Sequence, residues 1–394
     1  MKILRVIDTL DPRTGGPVAG LRALTPVLQA LGHETVVVTT DLPGHEFAPL
    51  PGAEVIPLGP ARGHYRFTPA LAPWLGRNLP RFDAVIVHGV WQSLGRTVRP
   101  AARRHRIPYF VYPHGMLDPW FSRAFPSKRL KKWLYWRLAE RFVIRDAAAV
   151  LFTCEEERRL ARESFSPYAC DERVVTYGTE SAPPAASRQI AAWHAQQPGL
   201  VGRPFLLFLG RIHPKKGVDL LLAAWLALVR RRPGIPDLVI AGPAEDPALL
   251  RELQARANAA PEGARVHWAG MLEGDAKWGA LRAAEALVLP SHQENFGLVV
   301  TEALAAGTPV LLSTQVNIWR EIVADGAGLA APDTAEGVSS LLDQWTSRPR
   351  SARTAMRRQA AACHEQRFRI EAVAQSFLEA LAPYADAGAL HLRA

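Results

Sequence analysis

The chain's pattern predicts an α/β fold of two doubly wound, Rossmann-like domains, each a parallel sheet covered by helices. Three observations predict it: the length, the alternation of short apolar runs with longer amphipathic segments, and the restart of that alternation midway. At 394 residues the chain exceeds what one hydrophobic core ordinarily supports, so two domains are expected. With 48% hydrophobic and 21% charged residues, both domains have material for a packed interior. Apolar runs of four or five residues separated by helix-length segments are the mark of βαβ units.

Taken in order, the first series opens at Ile3–Ile7, where Arg5 and Asp8 break the apolar run. It therefore reads as a buried strand and not as the core of a signal peptide. Thr35–Thr39, Ala84–Val87, Tyr109–Tyr112 and Ala149–Phe152 continue it. Ser181–Ser187 and Gln196–Gly199 bracket a helix-like patch in the manner of a linker. A second series follows in Phe205–Leu209, Leu238–Ala241, Val266–Ala269, Ala286–Leu289 and Val310–Leu312. The expected division is residues 1–184 for the first domain and 200–366 for the second. A helix in 367–394 is expected to pack back on the first domain. The longest apolar run, Leu220–Val229, ends at Arg230-Arg231-Arg232 and is far shorter than the roughly 20 residues needed to span a bilayer.

A formal charge of +10 favours anionic partners, whether nucleotide phosphates, anionic lipid or nucleic acid, without choosing among them. The three cysteines, Cys154, Cys170 and Cys363, form no Cys-x-x-Cys pair or ligand cluster. A reducing, cytoplasmic setting is the expectation.

The most informative stretch is Ser291 to Val310. Glu285–Pro290 reads as a buried strand and Gly297–Ala306 as a helix ended by Gly307-Thr308-Pro309. The first amides of such a helix attract phosphate. Glu294 and Glu302 flank this start. On one regular helix they would lie about 12 Å apart at roughly 1.5 Å per residue, although Glu294 is expected on the preceding loop. That spacing suits a long ligand held at two places and exceeds the roughly 5 to 9.5 Å of paired glycosidase carboxylates. Gly210-Arg211-Ile212-His213-Pro214-Lys215-Lys216-Gly217 follows a strand and precedes a helix. Arg211 and Lys216 are thereby expected at the carboxyl end of the sheet, where open α/β sheets bind ligands.

These motifs resemble the retaining GT-B glycosyltransferases of family 4 over nearly the whole chain. The resemblance implies a cleft between the domains and places Glu302 on the ribose hydroxyls and Glu294 on the transferred sugar. It brings the amides of Phe296, Gly297 and Leu298 to the diphosphate, and Arg211 and Lys216 to its leaving charge. It also puts Gly242 and Met271, in the turns Ala241-Gly242-Pro243 and Ala269-Gly270-Met271, around the base.

In the first domain, Asp11-Pro12-Arg13-Thr14-Gly15-Gly16-Pro17 resembles the family's glycine loop, with Gly15 and Gly16 admitting a sugar or phosphate close to the backbone. His114, in Tyr112-Pro113-His114-Gly115, resembles the histidine that meets the donor sugar, and His88-Gly89 is a candidate for the acceptor pocket. Tyr177-Gly178 stands where the family usually has an Asn-Gly hinge. Between the two, Trp120-Phe121 and Lys128 to Arg137 interleave cations with tryptophans. Lys128, Arg129, Lys131, Lys132 and Trp133 would suit a helix on an anionic membrane surface.

The resulting expectation is a retaining transferase that moves a sugar from a nucleotide diphosphate sugar to a glycan or lipid-linked acceptor. It would act in the cytoplasm or on the inner face of the membrane, in polysaccharide or glycolipid synthesis. No metal is expected, because Arg211 and Lys216 supply the charge that a divalent ion otherwise brings, and no further cofactor or nucleic acid is expected. Alternatives are a GT-B nucleotide-sugar epimerase, a phosphorylase, or a non-catalytic basic protein binding membrane or nucleic acid on the same scaffold.

Overall fold

A computed structural model describes residues 1–44, 47, 49–120 and 126–385. The chain divides into two compact units: Met1–Gly178 joined by the residues from Ile370 onward, and Thr179–Arg369.

The first unit contains β1 (Lys2–Val6), β2 (Glu34–Thr39), β3 (Ala53–Pro57), β4 (Ala84–His88), β5 (Tyr109–Tyr112), β6 (Ala149–Phe152) and β7 (Glu172–Val174). They form one sheet in the order β3-β2-β1-β4-β5-β6-β7, parallel at every pairing. Helices cover both faces, so the central strands are buried along their length instead of alternating with polar residues. Leu4, Val6, Val85, Val87, Val111 and Phe152 face one core. Ile3, Ile86, Phe110, Tyr112 and Leu151 face the other. That second core is closed by Leu24 and Leu28 of the helix Gly16–Ala30 and by Ile370, Ala374, Phe377 and Leu381 of the C-terminal helix Ile370–Ala385.

The second unit contains β8 (Phe205–Leu209), β9 (Asp237–Ala241), β10 (Val266–Gly270), β11 (Ala286–Leu289), β12 (Val310–Ser313) and β13 (Gly328–Ala331). Their order, β10-β9-β8-β11-β12-β13, is again wholly parallel. In both sheets the winding reverses beside the first strand, between β1 and β4 and between β8 and β11. Ligands of open α/β sheets collect at the carboxyl ends of the strands flanking that reversal.

The segment read as a linker folds as the helix Ala186–Gln196 within the second unit. Its Trp193 is fully buried, and it lies so close to the helix Gly274–Ala283 that a Cβ on Gly279 would sit 2.0 Å from the Gln189 carbonyl oxygen. Among the described residues no helix is long and apolar enough to cross a membrane.

Candidate functional site

In the second unit, the loops leaving β8, β9 and β11 meet backbone to backbone. Gly217 has φ +65, and a Cβ there would lie 2.3 Å from the Pro290 carbonyl oxygen. A Cβ on Gly242, at φ +130, would lie 1.9 Å from the Gly210 carbonyl oxygen. Only glycine permits both the conformations and the approaches. The His292 N–H donates to the Lys215 carbonyl at 2.8 Å, tying the β11 loop to the β8 loop.

Glu294 lies on that loop, ahead of the helix, so the helical-rise distance to Glu302 does not apply. Its own N–H donates to the Gln315 carbonyl at 2.9 Å, and its carbonyl accepts from the Asn317 N–H at 3.0 Å. With its main chain held on both sides, the carboxylate is aimed at the β8 loop, where Lys216 Nζ pairs with Oε2. Both side chains are less than one-fifth exposed, at 17% and 18%, which strengthens their attraction relative to a surface pair. The helix Leu298–Ala305 then begins at Gly297, whose left-handed φ of +80 sets the turn. As the N-cap residue, Gly297 itself offers no side chain to the first amides. Glu302, one turn on, accepts from Lys277 Nζ at 2.8 Å. Phe296 turns its ring inward, edge-on to Phe368 with centroids 5.9 Å apart, leaving its backbone as the part suited to a ligand.

Arg211 pairs with Glu245 on the β9 loop, not with Lys216's partner. The two cations thus sit in separate ion pairs. Gly242 lies on the same β9 loop, and Met271 is 59% exposed just after β10. Among the described residues no group of three or more His, Cys, Asp or Glu side chains is arranged to hold a metal ion.

The first unit brings together Arg5, His88, His114 and Tyr177. Arg5 comes from β1 and His88 from the end of β4, the strands flanking the reversal. Arg5 is buried, with its guanidinium 4.8 Å above the Phe377 ring. Its Nη1 stands 3.5 Å from His88 Nε2. His88 Nδ1 lies 2.9 Å from His114 Nε2, and His114 Nδ1 lies 2.5 Å from Tyr177 Oη. A guanidinium only donates, so the lone pair of His88 Nε2 faces Arg5. The proton of His88 is then on Nδ1 and is donated to His114 Nε2, and His114 in turn donates from Nδ1 to Tyr177 Oη. Burial, with Arg5 adding to it, pushes the His114 pKa down to about 3. Burial, then His114 and Arg5, hold His88 well below the usual histidine range. Arg5 itself falls only to about 10, chiefly through burial, and remains charged at neutral pH.

His114 is therefore a neutral imidazole with both nitrogens engaged. It reaches a sugar hydroxyl only by exchanging one of these bonds. Its φ of +53 is costly for a residue with a Cβ. The buried Glu157 carboxylate holds the turn, accepting from the Gly115 N–H at 2.5 Å, the Thr153 N–H at 2.7 Å and the Thr153 hydroxyl at 2.6 Å. Gly15 has φ +88 with open space where a Cβ would be. It precedes the helix Gly16–Ala30, whose first turns carry the Tyr177 ring: a Cβ on Gly16 would lie 4.0 Å from that ring, and one on Gly20 only 2.8 Å.

Comparison with known proteins bears on what these arrangements serve. Residues 15–178 match the model for the glycosyl transferase 4-like domain, and residues 190–362 that for glycosyl transferases group 1. A D-inositol 3-phosphate glycosyltransferase of Nocardia farcinica is 30% identical over 331 residues, covering 79% of this chain and 69% of that relative. The chain belongs to the group 1 glycosyltransferases. The enzyme of the same name from Jonesia denitrificans is 30% identical over 63% of this chain, and the match spans 60% of that relative's length. A glycogen synthase of Mycobacterium tuberculosis is 27% identical over 91% of this chain and 90% of its own. Among solved structures, Anabaena HepE in complex with UDP superposes with a TM-score of 0.76 at 18% identity, over 97% of this chain and 100% of that one. Sucrose-phosphate synthase from Thermosynechococcus elongatus gives 0.75 at 19%, over 98% and 99%. The fold is the two-domain, Rossmann-like GT-B fold.

In this glycosyltransferase Lys216, Glu294 and Glu302 are marked as candidates by their motifs, whereas the residues that pair with or orient candidate groups are not. Lys277, Glu245 and Glu157 carry no motif. Glu157 sits in a run of three glutamates that reads as a solvated helix start. In the basic segment, Lys131 and Lys132 lie over aromatic rings, 5.6 Å from the Tyr65 centroid and 5.1 Å from that of Trp91. Trp133 is 45% exposed. Phe121 and the side chains of Lys128 and Arg129 lie outside the described residues.

Proposed function

We propose that this glycosyltransferase moves a sugar from a nucleoside diphosphate sugar to a glycan or lipid-linked acceptor, with retention at the anomeric carbon. The observation that carries the reading is the Lys216–Glu294 pair where β8 and β11 part, followed by Glu302 on the next helix. In this reading the diphosphate takes over the Lys216 ammonium and draws Arg211 from Glu245. The amides of Gly297 and Leu298 at the helix start supply neutral donors. Glu294, released from Lys216, accepts from the sugar hydroxyls, and Glu302 accepts from the ribose while Lys277 holds its carboxylate in orientation. Gly242 and Met271 border the base.

Neither glutamate serves as a covalent nucleophile here. The bond from the anomeric carbon to the phosphate oxygen breaks as the bond to the acceptor oxygen forms on the same face. The acceptor's proton passes to the departing phosphate. Charge grows on that phosphate in the transition state, and preorganised cations stabilise it where they are already in place. The relatives' names include both inositol phosphate and glucan chemistry, which supports the shared transfer step and leaves the acceptor class broad.

Thermal stabilisation by a panel of nucleotide sugars, followed by slow release of nucleoside diphosphate without acceptor, tests the proposal. Stabilisation and release by at least one donor are expected. A chain that neither binds nor hydrolyses any of them does not have this function.

A further inference from the structure

Residues 126–145 form one continuous helical run in the first unit, α-helical over Pro126–Tyr135, π-helical over Trp136–Glu140 and α-helical again over Arg141–Arg145. Its inward side is ordinary: Trp136, Glu140, Val143 and Ile144 are buried. Its outward side is not. Leu130 is 74% exposed, Leu134 51% and Leu138 70%. At about 100° per residue Leu130 and Leu134, spaced by four, lie roughly 40° apart, and Leu138, one π-helical turn on, continues the same side. Single exposed leucines are normal on a protein surface, whereas a stripe over three successive turns is not. Trp133, 45% exposed, borders it.

On the helical run itself, the described charges beside the stripe have one sign. Lys131 and Arg137 are exposed on its two flanks, and the Arg137 guanidinium lies 5.7 Å from the Trp133 ring centroid. The sole acidic residue between 126 and 145 is Glu140, which is buried on the opposite side. Asp146, the next, is taken up by Arg99, Arg103 and Arg145. An apolar strip edged by cations matches a surface that is apolar below and anionic above. A second copy of the chain would set the same cations against one another.

We infer that the outward face of this helical run docks onto an anionic lipid surface, with Leu130, Leu134 and Leu138 entering the interface and Lys131 and Arg137 meeting the head groups. The long stems of the two cations lie along the apolar strip while their charges stay at head-group level. Lys132, leaning on Trp91, ties the helix to the body of the unit, so that it meets the membrane as a preformed surface. Docking of this kind does not depend on which sugar or acceptor is used, and vesicle binding is measured without turnover.

Co-sedimentation of the full chain with vesicles tests it, comparing phosphatidylcholine alone with phosphatidylcholine containing phosphatidylglycerol. Binding to the anionic vesicles, weakened by salt, is expected for the wild type. The double variant L134S/L138S should bind about tenfold more weakly or worse with an unchanged melting temperature, since both leucines are exposed. K131Q/R137Q should bind with a shallower salt dependence. Wild-type protein remaining in the supernatant with anionic vesicles overturns the inference. So does L134S/L138S binding as the wild type does, or a dimer that this variant dissolves while vesicle binding is absent throughout.

Discussion

Lys216 and Glu294, 78 residues apart in sequence, form an ion pair where the sheet of the second unit reverses its winding. The pair depends on two glycines as much as on its charges. Gly217 and Gly242 let three loops close on one another, and Glu294 is clamped by its main chain before its side chain meets Lys216.

Glu302 provides the most specific test of nucleotide recognition. If its carboxylate accepts from the ribose, Glu302→Ala should weaken nucleoside diphosphate binding by about 10- to 100-fold, the worth of a charge-assisted hydrogen bond of roughly 1.5–3 kcal/mol. The variant should also lose the wild type's preference for ribose over deoxyribose. Calorimetric titration with both nucleotides measures this, and an undiminished preference assigns the ribose to another group.

Gly217→Ala should damage the donor site without touching a ligand. A Cβ 2.3 Å from the Pro290 oxygen forces the β8 and β11 loops apart and separates Lys216 from Glu294. Expected is a loss of donor binding larger than that of Lys216→Ala, together with a lower melting temperature. A variant with wild-type affinity shows that the loops adjust independently.

Glu157→Ala should destabilise the first unit by about 3 kcal/mol, because three buried donors at Gly115 and Thr153 lose their acceptor at roughly 1–3 kcal/mol each before relaxation. Urea unfolding, followed by a probe in the first unit, gives the value. A loss below about 1 kcal/mol would mean that water or a shifted side chain replaces the carboxylate.

His88 and His114 make the first unit sensitive to acid. Both are held neutral in the folded state with depressed pKa values, whereas in the unfolded chain they protonate near 6.5. Below that pH the unfolded state binds more protons, so stability is complete above about 6.5 and is lost as pH falls toward the folded values. The slope is up to about 1.4 kcal/mol per pH unit for each ring. Nitrogen-15 spectra at neutral pH should show both rings neutral and protonated on Nδ1, with Arg5→Met relaxing that preference at His88. A cationic His114 at pH 7 contradicts the assignment.

Much of the fold is legible in the sequence because the central strands are continuous apolar runs. The strands that escape it, β3, β7 and β13, are all at sheet edges. There one side lacks a partner, and Glu54, Glu172 and Arg173 or the small residues Gly328, Ala330 and Ala331 replace the buried branched side chains. In the site, Lys216, Glu294 and Glu302 are legible because each lies beside a strand end or helix start that marks it. Lys277, Glu245 and Glu157 are not, since each acts through a partner brought near only by the fold. Arg5 illustrates the limit from the other side. It breaks an apolar run as a solvent-facing residue would, yet it is buried on Phe377 and sets the direction of the histidine hydrogen bonds.

Lys216→Ala measures the central claim most directly, in single-turnover transfer and in equilibrium binding of the same donor. If Lys216 stabilises the departing diphosphate, the rate of transfer should fall by about 10²- to 10³-fold, as for loss of one preorganised donor to a developing anion. Donor affinity should fall far less. Transfer at the wild-type rate, or a loss confined to binding, contradicts it.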